Sequence, residues 1–351
     1  MMNISSKYFE NQDTFLEYII TSSSKYLILS ASSTTIELQK FNEQNINIYG
    51  AIFSHIIFEN KIYDKGLISI EINEEINLDF IENVKNYKFD DNKFIETKSI
   101  ITIFNGFNNY NQEFFIKLFE NIPLDINIMG GGAGIIEDKN KKVFFNNKGF
   151  FLNSAILLSI KSKIKLTSRD GWKSLSGPYI VTSSDKNILK TIDYMDAFEL
   201  YKNEIKKDCN IDITKDNFLE ISKNYPIGIV RYSGANIVRD PISFEKGKLI
   251  LVTEVGVNSI INILKGNKTN LINAAKEAAI EVLDENSNLA IVFSCITRKS
   301  FLEENFQEEL NEIYAQIDSN NMIGALTIGE IANNGNRYIN LLNKSCVIGG
   351  I

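Results

Sequence analysis

Apolar residues along this chain gather in short runs that recur in one order. Residues 28–33, 101–106 and 290–295 each carry the apolar run of a buried strand, and each is followed by a helical stretch. Every such stretch leads to a further apolar run that ends in glycine: Ile46 to Gly50, Ile126 to Gly130 and Met322 to Gly324. Behind each glycine sits an extended segment suited to a hairpin. The recurrence over 25–72, 99–160 and 287–351 predicts one supersecondary unit of strand, helix, strand and hairpin, copied within the chain. Function is expected where the glycine turns of different units converge.

The spacing between and around these runs predicts further elements. Tyr8, Phe9, Phe15, Leu16, Ile19 and Ile20 recur at helical spacing, ahead of a strand that opens at Tyr26. Residues 52–59 and 66–72 predict two strands around a turn at 60–65, whereas 73–98 is acidic and irregular. Gly130 to Gly134 is expected to break the second unit's strand as a tight turn, since glycine allows positive φ and close backbone approach. Residues 143–145 and 149–160 then form a hairpin. Tyr194, Ala197, Phe198, Tyr201 and Ile205 predict a helix that opens a second lobe. Ile227 to Tyr232 and Leu249 to Thr253 predict strands around Arg239-Asp240-Pro241, and Leu271 to Leu283 another amphipathic helix. The expected fold class is α/β, mixed α+β, in two lobes of residues 1–185 and 186–351.

Composition narrows the function classes. A net charge of −7 with scattered acids leaves no basic face for phosphates, so no nucleic acid partner is expected. The N-terminus lacks a cationic segment followed by an apolar run, and the greasiest stretch, Phe150 to Ile160, is short and interrupted by Asn153. No membrane insertion is expected, and the localisation read from this is cytoplasmic. Three separated cysteines and one histidine offer neither a disulfide framework nor a zinc site, so no metal is expected. Acyl-transfer chemistry needs a base beside a nucleophile, and the single His lies in no such context. The chain is read as no enzyme, with an uncharacterised hydrolase as the second alternative.

The last unit runs from Phe293 to Arg298, through a helix rich in Glu (Glu303, Glu304, Glu308, Glu309), to Ile323 to Glu330. It resembles the C-terminal half of the FIST proteins. In the expected order, Gly130 to Gly134 resembles the Gly-rich turn of their N-terminal half, and Gly171-Trp172 with Pro178 to Thr182 their Gly-Trp segment. Met195 to Tyr201 resembles their helix with an Ala and Tyr pair, and Arg239-Asp240-Pro241 their Arg-Asp-Pro turn. The resemblance implies two FIST-like lobes forming an intracellular sensory module of signal transduction. Such a module would bind a small ligand, amino-acid-like or a carboxylate, without catalysis. The implied partners are that ligand and a separate signalling protein such as a kinase or chemoreceptor. Some members are haem-containing nitric-oxide sensors, which makes a haem-binding sensor the alternative. Where relatives place His before the Gly-Trp pair this chain has Asp170, so that haem ligand is missing here.

Several residues carry candidate chemistry. Arg298, three residues beyond a buried strand, has the planar fork that clamps a carboxylate; its structural alternative is a salt bridge to the Glu-rich helix. Glu330, after Gly329 at the end of an apolar strand, could accept a ligand ammonium or pair with Arg298, and is otherwise a solvated strand end. Gly131, Gly132 and Gly134 would let a ligand approach the backbone, although the run lacks the endings of a P-loop or dinucleotide motif. His55 is the remaining candidate haem ligand and otherwise a structural residue. Cys295 reads as a core thiol, Trp172 as the seal of a domain interface, and Arg239 as the brace of its own turn. No resident cofactor other than that haem is expected.

Overall fold

The computed structural model describes residues 4–19, 25–90, 93–231, 236–284, 287–317, 321–334, 339 and 341–351. Three of its sheets have six strands each and share one plan. In each unit two parallel strands flank a helical connection. Lys25–Ala31 pairs with Asn47–Phe53 across the helix Leu38–Glu43, and Ser99–Asn105 with Asn127–Ala133 across Asn111–Glu120. In the third unit Ala290–Cys295 pairs with Met322–Thr327 across Ile296–Leu302 and Phe306–Tyr314. A return strand runs antiparallel along the first strand of each pair: Leu67–Ile72, Ala155–Ile160 and Cys346–Gly350. Leading strands Ser6–Phe9, Ile76–Ile81 and Lys165–Arg169 close the outer edges. Ser99–Asn105 and Ala290–Cys295 are buried at every position, as expected of parallel strands covered on both faces.

The hairpins link the units into a ring. Ile56–Phe58 with Lys61–Tyr63, from the first unit, adds to Met322–Thr327 of the third. Glu330–Asn334 with Leu341–Leu342, from the third, adds to Asn127–Ala133 of the second. Phe144–Asn146 with Gly149–Phe151, from the second, adds to Asn47–Phe53 of the first. Each unit therefore completes another unit's sheet, and the exposed edge of every second parallel strand is satisfied by a neighbour's hairpin. Core residues from all three units, Phe53, Met129 and Phe293 among them, share one apolar cluster.

Three local expectations are corrected. Gly50, Gly130 and Gly324 occupy matching mid-strand positions, where a Cβ would overlap the Phe145 ring, the Thr102 carbonyl and the Val292 carbonyl respectively. They serve close packing, and the strand Asn127–Ala133 runs straight through Gly130, Gly131 and Gly132 without turning. Tyr8 and Phe9 lie in a strand, because the Asn11 side chain caps the helix Gln12–Tyr18 by accepting the Thr14 N–H. The acidic stretch 73–98 carries the strand Ile76–Ile81. Ile20 and Tyr232 lie outside the described residues.

Residues 173–265 are inserted between the third unit's leading strand and its first parallel strand, and form the second lobe of this mixed α/β protein. Lys173–Asp185 pairs with Ile188–Ile192 and with Ile260–Lys265, so residues 185 and 186 fall on the turn of a hairpin. The sheet ends on one side at Ile237–Arg239 and on the other at Pro241–Glu245. Only Asp240 separates these two edges, so the sheet bends back on itself. The helices Ala197–Cys209 and Phe218–Ser222 pack into its core through Leu200, Tyr201, Ile205 and Phe218. Among the described residues, no helix is long and apolar enough to cross a membrane.

Candidate functional site

The strand Ala290–Cys295 separates two buried polar clusters. Successive side chains of a strand face opposite sides, so Ser294 turns toward the third unit's helices and Cys295 toward the crossover into the second unit. The return strand keeps the same alternation: Cys346 pairs with Ser294, while the Ser345 carbonyl accepts the Cys295 N–H.

On the helix side Arg298 has no exposed surface, and its five N–H groups meet five acceptors. Nε donates to Glu309 Oε1 at 3.3 Å and Nη2 to Glu309 Oε2 at 2.6 Å and the Leu271 carbonyl at 2.9 Å. Nη1 donates to the carbonyls of Asp170 at 2.5 Å and Lys344 at 3.1 Å. Burial works against the guanidinium charge, but the adjoining Glu309 carboxylate outweighs it and holds Arg298 charged beyond the ordinary arginine range. The salt bridge to the Glu-rich helix is thus what Arg298 makes. No N–H is left over for a ligand carboxylate.

On the other side Glu330 is also fully buried. Its Oε1 accepts the Thr327 hydroxyl at 2.8 Å, and its Oε2 the Ser345 hydroxyl at 2.9 Å and N–H at 3.4 Å. The Cys295 thiol bonds to the same carboxyl, and Cys295 Sγ lies 3.2 Å from the Thr297 hydroxyl. Among the described residues no Lys or Arg pairs with Glu330. Desolvation therefore dominates, and the carboxyl pKa is pushed up to about 8 despite the hydrogen bonds that favour the ionised form. Burial, reinforced by Glu330, pushes the Cys295 thiol up to about 12.

Of the glycines expected in the site, Gly131 stands opposite Glu330, whereas Gly132 and Gly134 lie against Ile328. Gly131 pairs with Glu330 in register, the Gly132 N–H donates to the Gly329 carbonyl at 2.9 Å, and Gly134 lies against Ile328 and Phe107. Arg298 stands on the far side of one chain segment. Lys344 gives its carbonyl to Arg298, and the next residue, Ser345, gives its hydroxyl to Glu330. The two expected partners are coupled through that segment, with no direct bond between them.

The second lobe grips the same segment. Lys344 pairs with Asp240 at 2.9 Å and its ammonium lies over the Trp172 ring at 4.9 Å, while Trp172 Nε1 donates to the Lys344 carbonyl. Trp172 packs on Phe301 and shares an apolar cluster with Val238 and Leu264 of the second lobe. Arg239 braces its own turn through the Val238 and Glu254 carbonyls and reaches the Leu341 carbonyl of the exchanged hairpin. Burial lowers its pKa to about 10.

His55 occupies the first unit's crossover. Its carbonyl accepts the Leu326 N–H at 3.0 Å, its ring is half-buried, and its Nδ1 has no hydrogen-bond partner. Burial and the nearby Lys299 charge hold its pKa below the usual imidazole range. Phe53 bridges to Gly134, and the Ile328 N–H donates to the Gly132 carbonyl. The three crossovers therefore meet, and they do so in close backbone contact.

A family model described as the FIST N domain matches residues 19–195, and one described as the FIST C domain matches residues 197–333. The chain belongs to the FIST family. No curated protein matches it significantly. FIST domains are associated with signal-transduction sensing. The two FIST matches meet at Asp196, the residue before the helix Ala197–Cys209. Gly131, Gly132 and Gly134 fall in the FIST N match and Arg298, Gly329 and Glu330 in the FIST C match, so the crossover cluster draws on both. Thr327, Lys344 and Ser345 escaped the sequence reading. Asp240 and Glu309 were visible only as members of a turn and of an acidic helix, and no local signal marks Lys344 and Ser345.

Proposed function

We propose that this protein is a sensory module that binds a small ligand bearing an ammonium group, such as an amino acid, at Glu330, without transforming it. The observation that carries this reading is a fully buried carboxyl whose partners are two hydroxyls, a thiol and one backbone N–H, with no cation beside it among the described residues. An acid so placed stays protonated, and a ligand ammonium would supply the missing counter-charge. Gly131 stands opposite Glu330 in the sheet and Gly329 precedes it in the chain, so both meet it with backbone alone. Arg298 acts behind the site: by fixing the Lys344 carbonyl it sets the position of Ser345, which orients Glu330.

Binding without turnover follows from the same chemistry. The adjacent nucleophile, Cys295, is held as a thiol, and the imidazole of His55 belongs to another crossover. The occupied state would be read by a separate signalling protein in the cytoplasm, without membrane insertion or nucleic acid. A thermal-shift panel of free amino acids, their N-acetylated forms, simple carboxylates and hemin tests the reading, because a ligand bound only by the folded state raises the melting temperature. Free amines should shift it and N-acetylated forms should not. A shift produced by amine-free carboxylates or by hemin, with none from any amine, would contradict the proposal.

A further inference from the structure

Five consecutive residues, Leu341 to Ser345, stand between Glu330 and the second lobe, and both sides hold them. On the ring side Leu342 is the register partner of Glu330, and Ser345 gives that carboxyl its hydroxyl at 2.9 Å and its N–H at 3.4 Å. On the lobe side Arg239 donates to the Leu341 carbonyl at 3.0 Å and the Thr253 hydroxyl to Asn343 Oδ1 at 2.9 Å. Asp240 pairs with the Lys344 ammonium, which also donates to the Lys223 carbonyl at 3.1 Å. Leu342, Asn343, Lys344 and Ser345 are all buried, so water does not stand ready to replace a bond lost when the segment moves.

One peptide group concentrates this coupling. The carbonyl of Lys344 and the N–H of Ser345 belong to the same planar unit, so tilting one end moves the other. The carbonyl end accepts from Arg298 Nη1 at 3.1 Å and Trp172 Nε1 at 3.3 Å, and the N–H end faces Glu330. Lys344 itself has a φ of 56°, a left-handed conformation that a residue with a side chain keeps only where its surroundings impose it. The 3.4 Å bond to Glu330 is long for an N–H donor, and a carboxylate bearing a full charge draws such a donor in to about 2.8 Å. That approach turns the peptide group against Trp172 and pulls on Asp240 through Lys344. We propose that Leu341 to Ser345 is a relay that makes the seating of the second lobe on the ring depend on the state of Glu330, so that occupancy is displayed to a partner by the second lobe. The coupling belongs to the free protein, and only its use in signalling rests on the ammonium reading at Glu330.

Hydrogen exchange of the full-length protein, read by mass spectrometry at one pH, tests the relay in both directions. Ser345→Ala removes the relay's hydroxyl from Glu330, whereas Thr327→Val removes the other hydroxyl on the same carboxyl and leaves the relay intact. Ser345→Ala should speed exchange in Ile237–Arg239 and Pro241–Glu245 about tenfold, and Thr327→Val less than about twofold. In reverse, Asp240→Asn releases Lys344 from the lobe side and should speed exchange in Glu330–Asn334 about tenfold. Ile205→Ala, which opens a cavity in the lobe's own core, should leave that strand within about twofold of wild type. If Asp240→Asn does not fold, Thr253→Val takes its place, removing only the Asn343 bond, with an expected acceleration of about threefold. Equal effects of Ser345→Ala and Thr327→Val on the lobe would overturn the proposal, as would unchanged exchange in Glu330–Asn334 once the lobe's hold is released. No ligand enters this experiment, so an amine panel without a hit removes the ligand reading alone and leaves the relay standing.

Discussion

Replacing Glu330 by Gln should stabilise this protein in alkaline solution while leaving it nearly unchanged in acid. The carboxyl pKa rises from 4.5 to about 8 on folding, so the folded state holds a proton that the unfolded chain has released. The sign follows directly: this contribution is fully present below the unfolded pKa and is lost as pH rises toward the folded one. At about 1.4 kcal/mol per pH unit, the wild type should lose about 3 kcal/mol through this group between pH 5.5 and 8.5. Gln keeps the size and the donor of the protonated acid, and Thr327, Ser345 and Cys295 remain to bond it. Urea unfolding at the two pH values, followed by the emission of the single, buried Trp172, measures the difference. The variant should gain on wild type by about 3 kcal/mol at pH 8.5 relative to pH 5.5. Parallel pH dependences would refute the claim that the folded protein keeps Glu330 protonated.

Two further substitutions test the surroundings. Arg298→Lys leaves an ammonium with three donors among acceptors that now take five bonds, and should destabilise by about 3–5 kcal/mol in urea unfolding; a loss under about 1 kcal/mol would show that the buried network is dispensable. Gly132→Ala puts a Cβ onto the Ile328 carbonyl and 2.8 Å from the Gly106 Cα, and should lower stability by about 2–4 kcal/mol. Gly256→Ala, whose nearest neighbour would be 3.7 Å away, is its control and should change stability by less than about 1 kcal/mol.

The repeated plan could be read from the sequence because each parallel strand is apolar at nearly every position and helices separate the members of each pair. The glycines were misplaced because a glycine needed for close strand packing and one needed for a turn look alike in a single sequence. Tyr8 and Phe9 fell into a helical pattern by coincidence of spacing, and the break is made by the Asn11 cap. The hairpin exchange has no local signature, since Ile57 pairs with Gly324 and Gly131 with Glu330 across long stretches of chain. Arg298 illustrates the division. Its salt bridge to Glu309 lies within one local motif and was weighed from sequence, whereas its bonds to Asp170, Leu271 and Lys344 depend on the assembled fold. Glu330 was placed at a strand end, but its complete burial comes from strands of two other segments closing over it.

The most direct measurement is proton release on ligand binding. Because Glu330 is protonated in the free protein at pH 6.5 with its pKa at about 8, an ammonium seated against it should displace that proton. Calorimetric titration of the strongest amine from the thermal-shift panel, repeated in two buffers of different ionisation enthalpy, counts the protons released. The expected result is about one proton per ligand for wild type, and for Glu330→Gln weakened binding with no release. Binding of equal strength in the variant, or heats that do not depend on the buffer in wild type, would place the ligand elsewhere than at Glu330.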